Sequence, residues 1–360
     1  MCTTRPRPRK KNSPVLQQAR LRAASIIASA SLPILTRLDP ELAHDLGLAG
    51  LRWLRPLWPA QDYPAELSVR CFGLRFAHPL GLAAGFDKNG DSLDALGAMG
   101  FSHVELGTVT PRPQPGNPKP RMFRIREATA LINRMGFNNK GVDHLVDRVA
   151  GSRYDGICGV SIGKNFDTPL EHAADDYVAC LRKVYTIADY VAVNISSPNT
   201  ARLRELQGRD GLERIFGALY EERRLLQERH GKRVPLLIKV APDLDREQIS
   251  SLVRDVKALQ VDGLIATNTS ISRDGVANAP AAAESGGLSG GPLHSLSVKV
   301  IAQLREELGS GFPLIGVGGI VSAEHARATL RAGADLIQIY TGFAYRGHLL
   351  LEEIMRGLLP

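Results

Sequence analysis

PLGLAAGFDK (79–88) opens a series of eight short apolar runs that recur through the 360-residue chain and decide its fold. The other seven are HVELGTV (103–109), ICGVSIG (157–163), YVAVNISS (190–197), PLLIKVAP (235–242), GLIATNT (263–269), PLIGVGG (313–319) and LIQIYTG (336–342). Unbroken apolar runs are typical of strands buried on both faces, and the stretches between them are long enough for helices. Eight such units predict an α/β fold, a closed (β/α)8 TIM barrel.

Polar residues or glycines end nearly every run. Because the active sites of such barrels lie at the carboxyl ends of the strands, these residues form the candidate site. They include Lys88, Thr108, Asn194, Ser197, Lys239, Thr267, Asn268, Gly319, Tyr340 and Thr341.

The sequence GVGG (316–319) follows the seventh strand, where barrels commonly bind phosphate. Glycines let backbone N–H groups approach an anion closely, although the same letters also fit two tight turns. Gly85 and Gly290 likewise allow the backbone to approach a flat ligand.

Lys239 lies within the apolar run LLIKV (236–240). An unpaired buried ammonium is costly, so an inward-pointing Lys239 requires an anionic partner. Two partners are possible: a reduced flavin, which is negative at its N1/C2 edge, or a carboxylate in a structural ion pair.

Four asparagines, Asn133, Asn194, Asn199 and Asn268, lie on predicted loops or strand ends. Each could cap a turn, as a lone Asn usually does. Together they offer paired donors and acceptors that suit a small flat substrate with imide-like groups, and Lys88 could bind its carboxylate. No HxxxH pair or carboxylate cluster is present, so no metal site is expected.

The net charge of +8 is unevenly distributed. Residues 1–38 contain eight basic residues and no acidic one, whereas residues 39–360 are formally neutral. A nucleic-acid-binding protein would carry a basic stripe on its folded part, so we expect no nucleic-acid partner. The uncharged stretch from Ala23 to Thr36 is shorter than the roughly 20 residues of a membrane-spanning helix.

The chain therefore divides into three predicted parts. Residues 1–38 are a flexible basic extension, residues 39–64 a short amphipathic helical segment, and residues 65–360 the barrel. Asp39 followed by Pro40 predicts a helix start. This helix could pack on the barrel or lie in a membrane interface. A small hairpin is expected over 66–76.

Several long motifs, in order, carry a resemblance to a known family: LAAGFDKNG (82–90), ELGTVTPRPQPGNPKPRMFR (105–124), INRMGFNN (132–139) and VNISSPNT (193–200) among them. From about residue 38 to its end the chain resembles the class 2, quinone-dependent dihydroorotate dehydrogenases. The resemblance implies oxidation of (S)-dihydroorotate to orotate in pyrimidine biosynthesis, with one FMN per chain and a membrane quinone as final electron acceptor.

The resemblance also implies residue roles. Ser197 becomes the base that removes the C5 proton; class 1 relatives carry a cysteine there, and none of the four cysteines of this chain lies nearby. The substrate-binding positions are Lys88, Asn133, Arg134, Met135, Gly136, Phe137, Asn194, Asn199, Asn268 and Thr269. The FMN-binding positions are Ala84, Gly85, Phe86, Asp87, Lys88, Thr108, Ser161, Asn194, Lys239, Thr267, Gly290, Gly319, Tyr340 and Thr341. Quinone-side candidates are His44, Arg124 and Tyr340.

One position departs from the family pattern. Ser161 stands where the family usually has asparagine, and a serine keeps one hydrogen bond but not an amide's donor–acceptor pair.

Two other functions compete with this one. A flavin-free barrel enzyme could bind a sugar phosphate through GVGG, and a basic-tailed scaffold could bind lipid without catalysis, although the scaffold gives no role to Lys239 and the four amides.

We expect a monomer at the cytoplasmic face of a bacterial inner membrane, with its basic arm attracted to anionic lipid. The Arg-rich start also resembles a mitochondrial presequence, which would place the protein at the mitochondrial inner membrane, and the run 23–35 resembles a secretory signal.

Overall fold

The computed structural model describes residues 14–59, 61, 63–199, 203, 206 and 208–359, with side chains described from residue 19 onward. Its strands are β1 (Val69–Cys71), β2 (Leu74–Phe76), β3 (Leu80–Leu82), β4 (His103–Val109), β5 (Met122–Ile125), β6 (Ala130–Asn133), β7 (Ile157–Ile162), β8 (Tyr190–Asn194), β9 (Leu236–Val240), β10 (Gly263–Ala266), β11 (Gly287–Gly290), β12 (Leu314–Val317) and β13 (Leu336–Ile339).

Eight of these strands close into a parallel barrel, in the order β3-β4-β7-β8-β9-β10-β12-β13 and back to β3. Each corresponds to one of the eight apolar runs, so the predicted (β/α)8 fold is confirmed. Every residue of these strands is buried except the partly exposed Ile157. Burial on both faces explains why the runs show no apolar–polar alternation.

The helices are α1 (Pro14–Leu35), α2 (Pro40–Leu54), α3 (Leu93–Ala98), α4 (Val142–Ala150), α5 (Ala173–Val184), α6 (Arg209–His230), α7 (Arg246–Ala258), α8 (His294–Leu308), α9 (Ala323–Arg331), α10 (Thr341–Arg346) and α11 (His348–Leu358). Local caps fix several starts. Asp39 accepts hydrogen bonds from the first N–H groups of α2, as the sequence predicts, and Asp245 with Gln248 forms a capping box on α7.

The β1–β2 hairpin closes the amino-terminal end of the barrel. Cys71 and Phe76 from the hairpin pack in one buried cluster with inward residues of the strands, including Tyr190, Leu237 and Ile315. The barrel is therefore a packed core at this end, and among the described residues the barrel opens to a ligand at the opposite end.

A three-stranded antiparallel sheet of β5, β6 and β11 lies outside the barrel and is absent from the sequence prediction. Its register pairs Asn133, the last residue of β6, with Gly287. Asn133 is therefore held by a sheet rather than by a free loop.

Helix α1 differs from the flexible extension expected for residues 1–38. Ala24 of this helix is fully buried, Leu21 and Ala28 pack against the main core, and Ser25 Oγ lies 2.6 Å from His348 Nε2. The small residues Ala24, Ser25 and Ala28 let the helix approach the barrel closely. Residues 1–13 of the expected extension lie outside the described residues, and among those described no helix is long and apolar enough to cross a membrane.

A glycine substitution tests the barrel packing. A Cβ at Gly159 would lie 2.1 Å from the ring of Tyr190, whereas a Cβ at Gly217 on α6 would meet nothing within 4 Å. Gly159→Ala should therefore lower the free energy of unfolding by about 1–3 kcal/mol through overpacking. Gly217→Ala should leave it unchanged or raise it by up to about 1 kcal/mol. Chemical denaturation of both variants measures the difference, and equal effects would contradict the packing described here.

Candidate active site

A cleft opens at the carboxyl end of the barrel, where the strand-end residues converge. It holds about 980 Å³ of space free of protein atoms, solvent at its mouth included. The predicted residues that line it are Ala84, Gly85, Lys88, Thr108, Asn133, Met135, Gly136, Phe137, Asn194, Ser197, Asn199, Lys239, Thr267, Asn268, Thr269, Gly290, Gly319, Tyr340 and Thr341.

The four predicted asparagines meet in this cleft as two hydrogen-bonded pairs. Asn199 Nδ2 donates to Asn133 Oδ1 (3.2 Å), and Asn268 Nδ2 donates to Asn194 Oδ1 (3.2 Å). Asn194 Nδ2 also donates to Thr108 Oγ1 (2.9 Å), which fixes the orientation of that amide. The four asparagines come from three separate segments of the chain, so only the tertiary fold brings them together.

Ser197 lies in the loop that follows β8 and lines the cleft with only 6% of its surface exposed. Its Oγ accepts a hydrogen bond from the backbone N–H of Asn199 (3.2 Å). That bond fixes the position of a hydroxyl that is itself almost fully buried.

Lys88 supplies a positive charge to the same cleft. Its Nζ donates to Asn138 Oδ1 at 2.5 Å. Burial, with a smaller contribution from the charge of Arg121, lowers the pKa of Lys88 to about 8, so the ammonium form still dominates at neutral pH. A carboxylate ligand would be attracted to it.

Lys239 has a carboxylate partner that sequence reasoning missed. Its Nζ lies 3.6 Å from Oε1 of Glu105, whose side chain is fully buried inside the barrel. The ion pair considered as an alternative for Lys239 is therefore present, although Lys239 also lines the cleft. The signal in the sequence was an acidic residue in the middle of an apolar run, HVELGTV (103–109).

The glycines after β12 shape one end of the cleft. Gly318 and Gly319 both have positive φ, 126° and 72°, and a Cβ at Gly319 would lie 2.3 Å from the backbone N of His294. His325 Nδ1 bonds to the Gly319 carbonyl (2.9 Å) and holds this turn in place. The turn thus requires glycine, and its backbone lies in the wall where the sequence predicts phosphate binding.

These features fit a flavin nucleotide. One wall of the cleft is made of small residues, Ala83, Ala84 and Gly85, which leave room for a flat ring, and the glycine turn offers backbone groups to a phosphate. Lys239 supplies a cation to the wall. Oε1 of Gln338, a lining residue, is buried and has no hydrogen-bond partner among the described residues.

Four predicted binding residues do not line the cleft with their side chains. Asp87 is buried and accepts hydrogen bonds from the N–H groups of residues 91 and 92, so it shapes the turn after β3. Ser161 lies behind Thr108, its Oγ 2.9 Å from Thr108 Oγ1. Arg134 points outward and pairs with Glu284 at 2.7 Å.

The fourth, Phe86, lines a second, apolar cavity between α1, α2 and the barrel. This cavity has about 1,480 Å³ of atom-free space, solvent at its mouth included, and all three quinone-side candidates, His44, Arg124 and Tyr340, line it. Tyr340 lines both cavities, and its ring lies 5.6 Å from that of Phe86. The two cavities therefore adjoin at these aromatic rings.

His44 and Arg124 have distinct surroundings in the apolar cavity. Burial, with a smaller contribution from the charge of Lys88, lowers the pKa of His44 to about 4, so its ring is neutral at pH 7. Arg124 Nη1 donates to the carbonyls of Thr36 (2.9 Å) and Leu38 (2.8 Å), just beyond α1. Arg124 thus fixes the end of α1 as well as lining the cavity.

Arg121 connects α2 to the loop beside Ser197. Its guanidinium donates two hydrogen bonds to the Glu41 carboxylate (2.7 and 3.2 Å) and a third to the carbonyl of Asn117 (2.8 Å). Asn117 Nδ2 donates in turn to the carbonyl of Asn199 (3.1 Å). A continuous polar chain therefore runs from the helical segment to the substrate side of the cleft.

Comparison with known proteins identifies related chains. A protein-family model described as dihydroorotate dehydrogenase matches residues 66–360. A relative from Alkalilimnicola ehrlichii, named dihydroorotate dehydrogenase (quinone), is 52% identical over 332 residues, covering 91% of this chain and 98% of the relative. One of the same name from Pseudomonas putida (strain GB-1) is 52% identical over 330 residues, covering 90% and 96%.

A solved structure is also similar to this chain. The crystal structure of a DHODH from Eimeria tenella in complex with ferulenol superimposes with a TM-score of 0.83 at 38% sequence identity. The match covers 89% of this chain and 91% of that chain.

Removal of the Glu41 charge tests the attachment of α2. Burial alone would raise the pKa of Glu41, but the positive charges and hydrogen bonds of Arg121 and Lys119 outweigh burial and lower the pKa. The Glu41–Arg121 pair therefore stabilises the fold at neutral pH. This stabilisation is lost as the pH falls through the lowered pKa of Glu41. Glu41→Gln should reduce the free energy of unfolding by about 1–3 kcal/mol at pH 7.

The matched control is Glu213→Gln, which breaks an exposed pair with Arg209 on α6 and should cost less than about 0.5 kcal/mol. Chemical denaturation compares the two variants, and hydrogen exchange should show faster opening of α2 only in Glu41→Gln. Equal exchange of α2 in both would refute the role of the pair.

Proposed function

This chain belongs to the dihydroorotate dehydrogenase family, and we propose that it oxidises (S)-dihydroorotate to orotate with FMN bound in the barrel cleft and a membrane quinone as final electron acceptor. The family predicted from the sequence motifs is confirmed by these matches, and its members are flavin-dependent in general. The observation that carries the proposal is the meeting of Ser197, Lys88 and four amides in one cleft that adjoins an apolar cavity at Tyr340.

The reaction removes a proton from C5 and a hydride from C6 of the substrate, which leaves a C5–C6 double bond. When bound, the flavin supplies the acceptor for the hydride and afterwards yields two electrons to the quinone. Ser197 Oγ is the group we assign to the C5 proton, because it is buried, lines the cleft and is oriented by the N–H of Asn199. A proton acceptor must be held within hydrogen-bond reach of its target, and this loop provides such a position.

Substrate orientation falls to Lys88 and the amides. The Lys88 ammonium pairs with the substrate carboxylate, and the Asn133–Asn199 and Asn194–Asn268 pairs present donors and acceptors to the imide groups of the ring. Each bond made to the ring directs C5 toward Ser197, and fixed geometry of this kind lowers the barrier without any new chemistry.

The quinone occupies the apolar cavity, whose lining is dominated by residues of α1, α2 and the aromatic ring of Phe86. The two helices expose Ile26 (68%) on α1 and Trp53 (89%) on α2, and α1 also carries the exposed basic residues Arg20 and Arg22. Apolar and basic side chains together favour an anionic lipid surface. We therefore assign residues 14–54 to membrane attachment at the cytoplasmic face of the cell inner membrane, with a monomeric barrel above it.

Replacement of Ser197 tests the function most directly. Ser197→Ala should lower kcat for dihydroorotate oxidation by about 10²–10⁴-fold because the C5 proton loses its acceptor. Reoxidation of the reduced protein by quinone should stay at the wild-type rate, since that half-reaction uses the other cavity.

Stopped-flow measurement of the two half-reactions separates these outcomes. A wild-type protein that is colourless and oxidises no dihydroorotate would contradict the proposed function and favour the sugar-phosphate alternative. Normal substrate oxidation by the Ala variant would contradict the role of Ser197 alone.

The pH dependence of orotate binding tests Lys88. Because the pKa of Lys88 is lowered to about 8, the ammonium form is present below that pH and is lost above it. The Kd for orotate should therefore rise as pH increases through about 8. In Lys88→Met the Kd should be higher at pH 7 and should not change across this interval. Equilibrium titration monitored by the flavin spectrum gives both curves, and an unchanged slope in the variant would assign the dependence to another group.

A further inference from the structure

Glu105 is a charged residue that the proposed reaction does not use. It lies in β4 with no exposed surface, below the floor of the cleft. A lone carboxylate in such a position is strongly disfavoured, so neighbouring side chains must stabilise its charge.

The compensation comes from three side chains on three other strands. Tyr190 Oη donates to Glu105 Oε2 (3.0 Å), and Gln338 Nε2 donates to the same oxygen (2.9 Å). Oε1 has no hydrogen-bond partner among the described residues and faces Lys239 Nζ at 3.6 Å. The network thus holds one oxygen tightly and turns the other toward the cation.

Lys239 and Gln338 both line the cleft, whereas Glu105 and Tyr190 do not. The distance of 3.6 Å is longer than a direct hydrogen bond, so the Lys239 ammonium still has donors for a group in the cleft. The Lys239 ammonium therefore lies between the fixed carboxylate of Glu105 and the space of the cleft.

We propose that Glu105 is a positioning residue that sets how strongly the cleft stabilises negative charge, and through Lys239 sets the reduction potential of the bound flavin. This inference rests on the proposed function, because it requires a flavin in the cleft. Reduction by two electrons and one proton would give a bound flavin a negative charge, and Lys239 is the cation of the network that lines the cleft. Glu105 offsets that cation in advance, so it lowers the potential and favours release of the electrons to the quinone.

The reduction potential of the flavin in the purified holoenzyme tests this inference through two variants with opposite expectations. Glu105→Gln removes the carboxylate charge, and the ratio of reduced to oxidised flavin at a fixed potential should rise about tenfold, or ~30 mV upward for a two-electron couple. Tyr190→Phe keeps the charge but removes one donor from it, so the carboxylate acts more strongly and the ratio should fall about threefold. The control Glu213→Gln on α6 should leave the ratio unchanged.

Reductive titration with a reference dye gives the ratios, and the Kd for oxidised FMN, measured separately, should change less than threefold in either variant. Reduction potentials that are unchanged in both variants, or that change in the same direction, would overturn the inference. Loosened packing alone would not change the potential in opposite directions in the two variants. If Glu105→Gln does not fold, the downward displacement in Tyr190→Phe still decides the matter. Absence of flavin from the wild-type protein would instead overturn the proposed function.

Discussion

Closure of the eight-stranded barrel is the constraint on which the rest of the structure depends. Each strand is hydrogen-bonded to two neighbours, so the sheet has no free edge, and the strand residues are buried on both faces. With the β1–β2 hairpin filling the amino-terminal end, polar side chains have only two places to lie: paired within the interior or at the open carboxyl end. The candidate site consists of the polar side chains at the open carboxyl end. Glu105 and its partners are the polar side chains that pair within the interior.

The two cavities give this arrangement its direction. One is lined by amides, Lys88 and Ser197, the other by apolar residues of α1 and α2, and Tyr340 borders both. Arg121 joins the two sides mechanically, because it bonds to Glu41 on α2 and to the loop that holds the Asn199 carbonyl. Under the proposed function, the substrate and the quinone therefore bind in two separate cavities that adjoin at Tyr340.

Sequence reasoning succeeded where one local pattern had one structural outcome. The eight apolar runs, the Asp39 cap and the 66–76 hairpin follow from periodicity and turn chemistry, and the structure contains all of them. It missed the role of Glu105, because an acidic residue within an apolar run does not by itself show that it is a buried ion-pair partner. It also missed the helix at 14–35, where basic charge suggested a free arm but small residues allow close packing on the barrel.

The sequence by itself determined the barrel, the family and the list of residues at the strand ends, because buried strands and long motifs are local patterns of consecutive residues. Only the tertiary structure decided which of those side chains face a common cleft. Asp87, Ser161 and Arg134 turn away from it, Phe86 joins the apolar cavity, and Lys239 acquires Glu105 from a strand more than a hundred residues earlier in the chain. The physical reason is that side-chain direction and charge pairing depend on neighbours across the closed sheet, and those neighbours are set by closure rather than by adjacency in the sequence.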